Sequence, residues 1–382
     1  MVAFSGTSSG ASFAGKLRQI RWGMVAVLVC IAAIGIATLY SAGNGSMEPW
    51  AVRQLVRVGI GLTLMIAVAC VDIRIWLRYA YVIYVVGLAL LLWVDIAGHT
   101  GMGAQRWLAL GPITIQPSEV MKVALVLVLA RYFHSVSVED AGRLLPLIWP
   151  AVLLALPAVL VLAQPDLGTA MMLTFAAAAV FYLAGVRLWV FALATAAGGA
   201  VLPFAWHHLK DYQKNRILMF LNPESDPLGA GYHILQSKIA LGSGGLFGRG
   251  FLEGTQSHLN FLPEKQTDFI FTMLAEEWGL IGGLVLLALY LTLVAYGYAI
   301  GLRSRSQFGR ILALGLTTMF FLYIFINVAM VMGLVPVVGV PLPLISYGGT
   351  AMITLLIAFG MILGCYIHRD VIIGRRGGLD AL

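Results

Sequence analysis

The sequence predicts an all-α polytopic membrane protein of about ten transmembrane helices, with a large extracytoplasmic loop between helices 7 and 8. Three observations predict it. Hydrophobic residues make up 60% of the chain and charged residues only 11%, against roughly 25% charged residues in a soluble domain. Apolar runs recur along the chain, each near the ~20 residues that cross a bilayer. Lys and Arg gather in alternate connections, as the positive-inside rule expects of a threaded chain.

The elements follow in order. Residues 1–21 form a cytoplasmic tail expected to be disordered, Ser/Gly/Ala-rich over its first fifteen positions and then basic at Lys16, Arg18 and Arg21. No small-residue cleavage site follows, so the next run is expected to be an uncleaved span. Spans are expected at 22–41, 54–71, 77–97, 117–133, 145–163, 168–186, 188–206, 274–300, 311–333 and 347–367, within one transmembrane domain over 22–370. Residues 371–382 form a cytoplasmic C-terminal tail. With both termini inside the inner membrane, Arg74, Arg78, Arg131, Arg143, Arg187, Arg303, Arg305 and Arg310 share the cytoplasmic side. The short outer loops keep little beyond Arg53, Arg57 and Arg106. The net charge of +7 is thereby explained without nucleic acid.

The loop over 207–273 is too long for a connector and holds Lys210, Lys214, Arg216, Lys238, Arg249 and Lys265. Its run Ile217–Leu221 reads as an interfacial helix on the outer leaflet. Its cations suit a lipid diphosphate, or bulk anionic lipid. GSGGLFGRG, Gly242–Gly250, follows no strand and reads as a flexible loop. Cys30, Cys70, Cys365 and the seven histidines have no metal-ligand spacing.

An ionisable side chain at membrane depth costs at least a few kcal/mol, so the polar strings between spans carry the information. In GMGAQRWLALGPITIQPSEVMK, Glu119 and Lys122 are three apart and share a helix face. They form either a packing ion pair or part of a polar cavity, with Gln105 and Arg106 just upstream. Pro117 suits the first turn of that helix. In QPDLGT, Asp166 is a cap for the next helix or a second cavity group. In LPEKQTDFIFTMLAEEWG, Asp268 either caps the helix that follows or works as a base. Crowding by Glu264, Glu276 and Glu277 would raise its pKa, and a helix N-terminus would lower it. PLPLISYGGTAM, before the last span, reads as an irregular re-entrant loop.

These strings together resemble the SEDS family (shape, elongation, division and sporulation) of bacterial cell-wall proteins, over roughly residues 20–370. All four occur in the family's order, in forms closer to the elongation member than to its division paralogue. The resemblance implies a peptidoglycan glycosyltransferase that polymerises lipid II into β-1,4 glycan strands. It implies Asp268 as general base on the acceptor GlcNAc 4-hydroxyl, with undecaprenyl diphosphate as the leaving group of the donor glycan. Glu119, Lys122, Arg106, Gln105, Asp166, Lys265 and Ser346 would line the cavity. The diphosphate calls for Lys and Arg or a divalent cation, Mg or Mn. The implied partners are a class B penicillin-binding transpeptidase and other elongation-complex membrane proteins. A lipid II flippase would use the same cavity as a passage, but no inverted repeat with broken helices is visible. A mere scaffold would leave Glu119, Lys122 and Asp268 unexplained.

Overall fold

The computed structural model describes residues 12–101, 104–110, 113–208, 214, 218, 232–258 and 264–374. Ten helices match the ten expected spans. They are α2 (Trp22–Ala42), α3 (Ala51–Cys70), α4 (Ile73–Ala97), α5 (Pro117–Ser135), α7 (Leu144–Ala163), α8 (Leu167–Leu183), α9 (Leu188–His208), α12 (Ile270–Arg303), α13 (Gln307–Val331) and α14 (Gly349–Ile367). Short helices α1 (Phe13–Gln19), α6 (Val138–Ala141), α10 (Tyr232–Ser243) and α11 (Thr255–His258) join them.

Seven of the ten are long and apolar enough to cross a membrane by length and composition alone. Among the rest, α5 carries Glu119, Lys122 and Arg131, yet nearly all of it is buried by protein. It is the central helix, packed by α4, α8, α13 and α14. The outer helices turn side chains such as Ile60, Val85, Leu145 and Ile148 outward, the face a bilayer covers. Successive helices run antiparallel, so the connections fall at two ends of the bundle. Every polar string singled out from the sequence lies at the same end.

Three expectations are corrected. The tail expected to be disordered contains α1, and Lys16 Nζ donates to the Cys70 carbonyl at 2.9 Å. The segment after α4 is not a plain loop. It folds into an antiparallel meander of β1 (His99–Gly101), β2 (Ala104–Leu110) and β3 (Ile113–Ile115), with Leu108 opposite Ile115. The sequence signal was the turn-forming Gly-Pro at 111–112 and the alternation Ile-Thr-Ile-Gln that follows it. Beyond β3 the Gln116 N–H donates to Thr350 Oγ1 at 3.1 Å, tying the sheet to the start of α14.

The third correction concerns Gly242–Gly250, which is pinned rather than flexible. Helix α12 breaks at Gly279, whose φ is 68° and ψ −168°. A break at membrane depth strands backbone groups that must find partners. The loop supplies them: Arg249 and Gly250 N–H donate to the Glu276 and Glu277 carbonyls at 3.0 and 3.1 Å. In return, Leu280 and Ile281 N–H donate to the Gly245 and Leu246 carbonyls at 2.9 and 3.2 Å. Only glycine fits at the contact, because a Cβ on Gly279 would sit 2.3 Å from the Gly248 nitrogen. The interfacial helix expected over Ile217–Leu221 lies, but for Leu218, outside the described residues, as do 1–11 and 375–382.

Gly279→Val should therefore destabilise the protein by about 2–4 kcal/mol. The drop would appear in the thermal midpoint of the solubilised protein. Gly198→Ala, where a Cβ meets nothing within 4 Å, should leave the midpoint in place. Equal midpoints for the two variants would contradict this account of the break.

Candidate functional site

The site is built from four segments at one end of the bundle. The first is the start of α5. Pro117 opens it at the first turn, and one turn inward Lys122 Nζ lies 2.6 Å from Glu119 Oε1. The two are 2% and 4% exposed. Tyr323 of α13 completes the group: its hydroxyl donates to Glu119 Oε2 at 2.6 Å, and its ring faces Lys122 Nζ at 4.4 Å from the centroid. Both charges are thus satisfied inside protein, which is what their burial requires.

The second segment is the turn between α7 and α8. Asp166 is the N-cap of α8, accepting from the Thr169 N–H at 3.1 Å and Thr169 Oγ1 at 2.9 Å. It also meets Arg106, whose Nε lies 3.8 Å from Asp166 Oδ2. Arg106 also donates to the carbonyls of Gln164, at 3.2 Å, and Pro165. The sheet thereby places Arg106 across the turn. Gln105 sits on β2 opposite Thr100, and the expectation for its side chain lies outside the described residues.

The third segment is the loop entering α12. Its N-cap is Phe269, with no side-chain cap hydrogen bond, so Asp268 is not the capping residue. The four carboxylates do not share one task. Glu276 accepts from the Gln256 N–H at 2.7 Å, and Glu277 from the Ser41 hydroxyl, both fully enclosed. They hold α11 and α2. Glu264 accepts from Thr267 Oγ1 at 3.1 Å. Asp268 itself is only half-buried, and a carboxylate that reaches solvent can exchange protons. Three residues back, burial pushes the Lys265 ammonium below the ordinary Lys value.

The fourth segment is the irregular stretch before α14. Ser346 Oγ donates to the Thr267 carbonyl at 2.6 Å and accepts from the Leu342 N–H at 2.7 Å. The Tyr347 N–H donates to the Gln266 carbonyl at 2.8 Å. Gln54 of α3 donates to the Ser346 carbonyl at 3.1 Å. Ser346 therefore acts on the backbone beside Asp268. This stretch also joins the second and third segments. Gly168 packs directly on the Val338 carbonyl, and a Cβ on the next residue, Gly339 with φ 69°, would come 3.4 Å from Asp268 Oδ2.

Sequence reasoning missed Tyr323, Asn327 and Gln54. The signal was available: Tyr323 and Asn327 are polar, four apart, in a span otherwise apolar, the same cost argument that flagged Glu119. Beside the site, an apolar groove of about 650 Å³ runs along Phe271, Ala275, Gly279 and Leu287, beginning within one turn of Asp268.

The family model described as a cell cycle protein, FtsW/RodA/SpoVE, matches residues 17–370. The chain is 43% identical to the peptidoglycan glycosyltransferase MrdB of Escherichia coli K12, over 91% of this chain and 94% of that protein. Its fold superposes with a TM-score of 0.80 and 34% identity on a chain of a peptidoglycan synthase complex that coordinates polymerization and crosslinking, covering 92% and 98% of the two chains. It superposes with a TM-score of 0.70 and 29% identity on the rod shape determining protein RodA of Thermus thermophilus, covering 92% and 98%.

Removing one member of the buried pair should cost more than removing both. Glu119→Gln or Lys122→Met alone leaves an uncompensated charge, a loss of about 3–5 kcal/mol. The double variant should recover much of that, as read in a double-mutant cycle on thermal or denaturant stability. Additive losses would show that the two charges do not pair.

Proposed function

The chain belongs to the FtsW/RodA/SpoVE family of cell cycle proteins, and we infer from its site that it is a membrane-embedded peptidoglycan glycosyltransferase polymerising lipid II into glycan strands. The acceptor is the 4-hydroxyl of the lipid II GlcNAc. The donor is the growing strand on undecaprenyl diphosphate. A hydroxyl is a poor nucleophile near neutral pH, so a positioned base assists its attack. Asp268 takes the hydroxyl proton as the oxygen attacks the anomeric carbon of the donor MurNAc. The bond to the diphosphate breaks, and an α-linked diphosphate becomes a β-1,4 glycosidic bond.

The observation that carries this reading is the gathering of costly polar groups around the Asp268 loop. Glu119 and Lys122 at 2.6 Å, Arg106 with Asp166, and the braced backbone before Asp268 all lie at one end of an oily bundle. A passage for a lipid headgroup would distribute such groups along its length. Among the described residues one helix is broken, α12 at Gly279, which the sequence did not reveal. The loop 244–250 fills that break, so it is not a substrate passage.

Charge developing on the leaving diphosphate meets Lys265 and Arg106. Partial desolvation strengthens a cation's pull on an anion. Among the described residues no group of three or more His, Cys, Asp or Glu could hold a metal ion. A Mg or Mn ion on the substrate diphosphate would need only one or two protein carboxylates beside the phosphate oxygens, and would neutralise charge on the leaving group. The apolar groove beside Phe271 suits a polyprenyl chain whose diphosphate reaches the Asp268 loop. The site faces away from the cytoplasm in this reading, with both termini inside. In support, Arg74, Arg131, Arg143, Arg187, Arg305 and Arg369 all lie at the opposite end. A class B penicillin-binding transpeptidase would crosslink the strands made here.

Asp268→Asn in purified protein should cut lipid II polymerisation by about 10²-fold or more, the share a general base supplies. Lipid II binding and thermal midpoint should hold. Activity within about twofold of wild type would remove Asp268 from the chemistry. Leaflet-to-leaflet movement of lipid II with no polymer formed would favour transport.

A further inference from the structure

Helix α13 carries a side chain whose arrangement the reaction scheme has not used. Asn327 is fully buried. Its Nδ2 donates twice, to the Asp268 carbonyl at 2.9 Å and to the Val340 carbonyl at 2.7 Å. Both partners are acceptors only, so the amide must point its NH₂ at them. Its Oδ1 is then turned into the interior, where it has no hydrogen-bond partner. A buried, unsatisfied acceptor costs stability. An apolar residue would avoid that cost only by stranding two buried carbonyls, so what the amide secures is the link between the Asp268 and Val340 backbones.

We propose that Asn327 is the positioning residue for Asp268, its amide clamping the Asp268 backbone to the Val340 backbone so that the carboxylate meets the acceptor sugar in one orientation. This rests on the reading of Asp268 as the base. Three features make the clamp rigid. Gly339, the neighbour of Val340, has φ 69° and faces Asp268 with room for little more than a hydrogen, since a Cβ there would come 3.4 Å from Asp268 Oδ2, and the carbonyl before it packs on Gly168. Ser346 holds the other flank of the same backbone through the Thr267 carbonyl at 2.6 Å. The clamp also has a fixed footing. Tyr323 lies four residues before Asn327, one helical turn of about 5.4 Å, and its hydroxyl is fixed by Glu119 at 2.6 Å. One face of α13 thus connects the buried ion pair to the backbone of the base. Groups placed on a helix hold catalytic geometry better than groups on a loop. Asp268 sits on a loop, and Asn327 lends that loop the helix's rigidity.

The test is steady-state polymerisation of lipid II by the full-length protein, with the wild type and Asp268→Asn alongside. An active wild type and an inactive Asp268→Asn keep the functional reading standing whatever Asn327 does. Asn327→Leu keeps the branched shape and removes both donors. It should lower kcat by about a hundredfold, the cost of a displacement near 1 Å, while KM stays within about twofold. Titration with lipid II should show the same fraction of binding-competent molecules as in wild type, so that the loss belongs to folded protein. If the leucine variant does not fold, Asn327→Asp, the same size with no N–H to give, is read the same way. A kcat within about twofold of wild type, a loss carried by KM, or a loss matched by the binding-competent fraction would each overturn the proposal.

Discussion

A charge inside a lipid-embedded bundle must be answered by another protein group, and that constraint organises this molecule. Glu119 and Lys122 answer one another at 2.6 Å, with the Tyr323 hydroxyl and ring closing the remaining sides. Their helix can hold them only because α4, α8, α13 and α14 wrap it, so lipid never meets α5 on most of its surface. A polar centre of this kind requires an inner layer and an outer layer, and the fold has both. The inner helices are nearly enclosed, and the outer ones expose Ile, Leu and Val to the bilayer.

The same rule governs backbone. Two irregular stretches reach into the bundle, the break at Gly279 and the segment before α14. In each, groups that a helix would satisfy internally find partners elsewhere. The 244–250 loop serves the first, and Ser346, Tyr347, Gln54 and Asn327 serve the second. Satisfied backbone is rigid backbone. That rigidity lets a half-buried carboxylate on a loop hold a fixed direction. The fold thus supplies for Asp268 what a loop alone cannot.

All ten spans were legible in the sequence, because length and apolarity are local properties and lipid reads them directly. The polar strings were legible for the same reason in reverse: a costly residue stands out where everything around it is apolar. What was not legible depended on partners far away in the chain. Glu276 and Glu277 read as a carboxylate crowd because their acceptor roles involve Gln256 and Ser41, the latter on another helix. Gly242–Gly250 read as flexible because nothing local announces the helix break it fills. Asp166 is a cap that also meets Arg106, a contact that only the sheet brings about.

The central claim is that the carboxylate on the braced loop faces the sugar that attacks. An experimental structure of the Asp268→Asn protein with lipid II bound tests it most directly. The account predicts the acceptor 4-hydroxyl within about 3 Å of the residue 268 side chain. A glycan seated at the opposite end of the bundle, or a 4-hydroxyl beyond the reach of a single bridging water from residue 268, would contradict it.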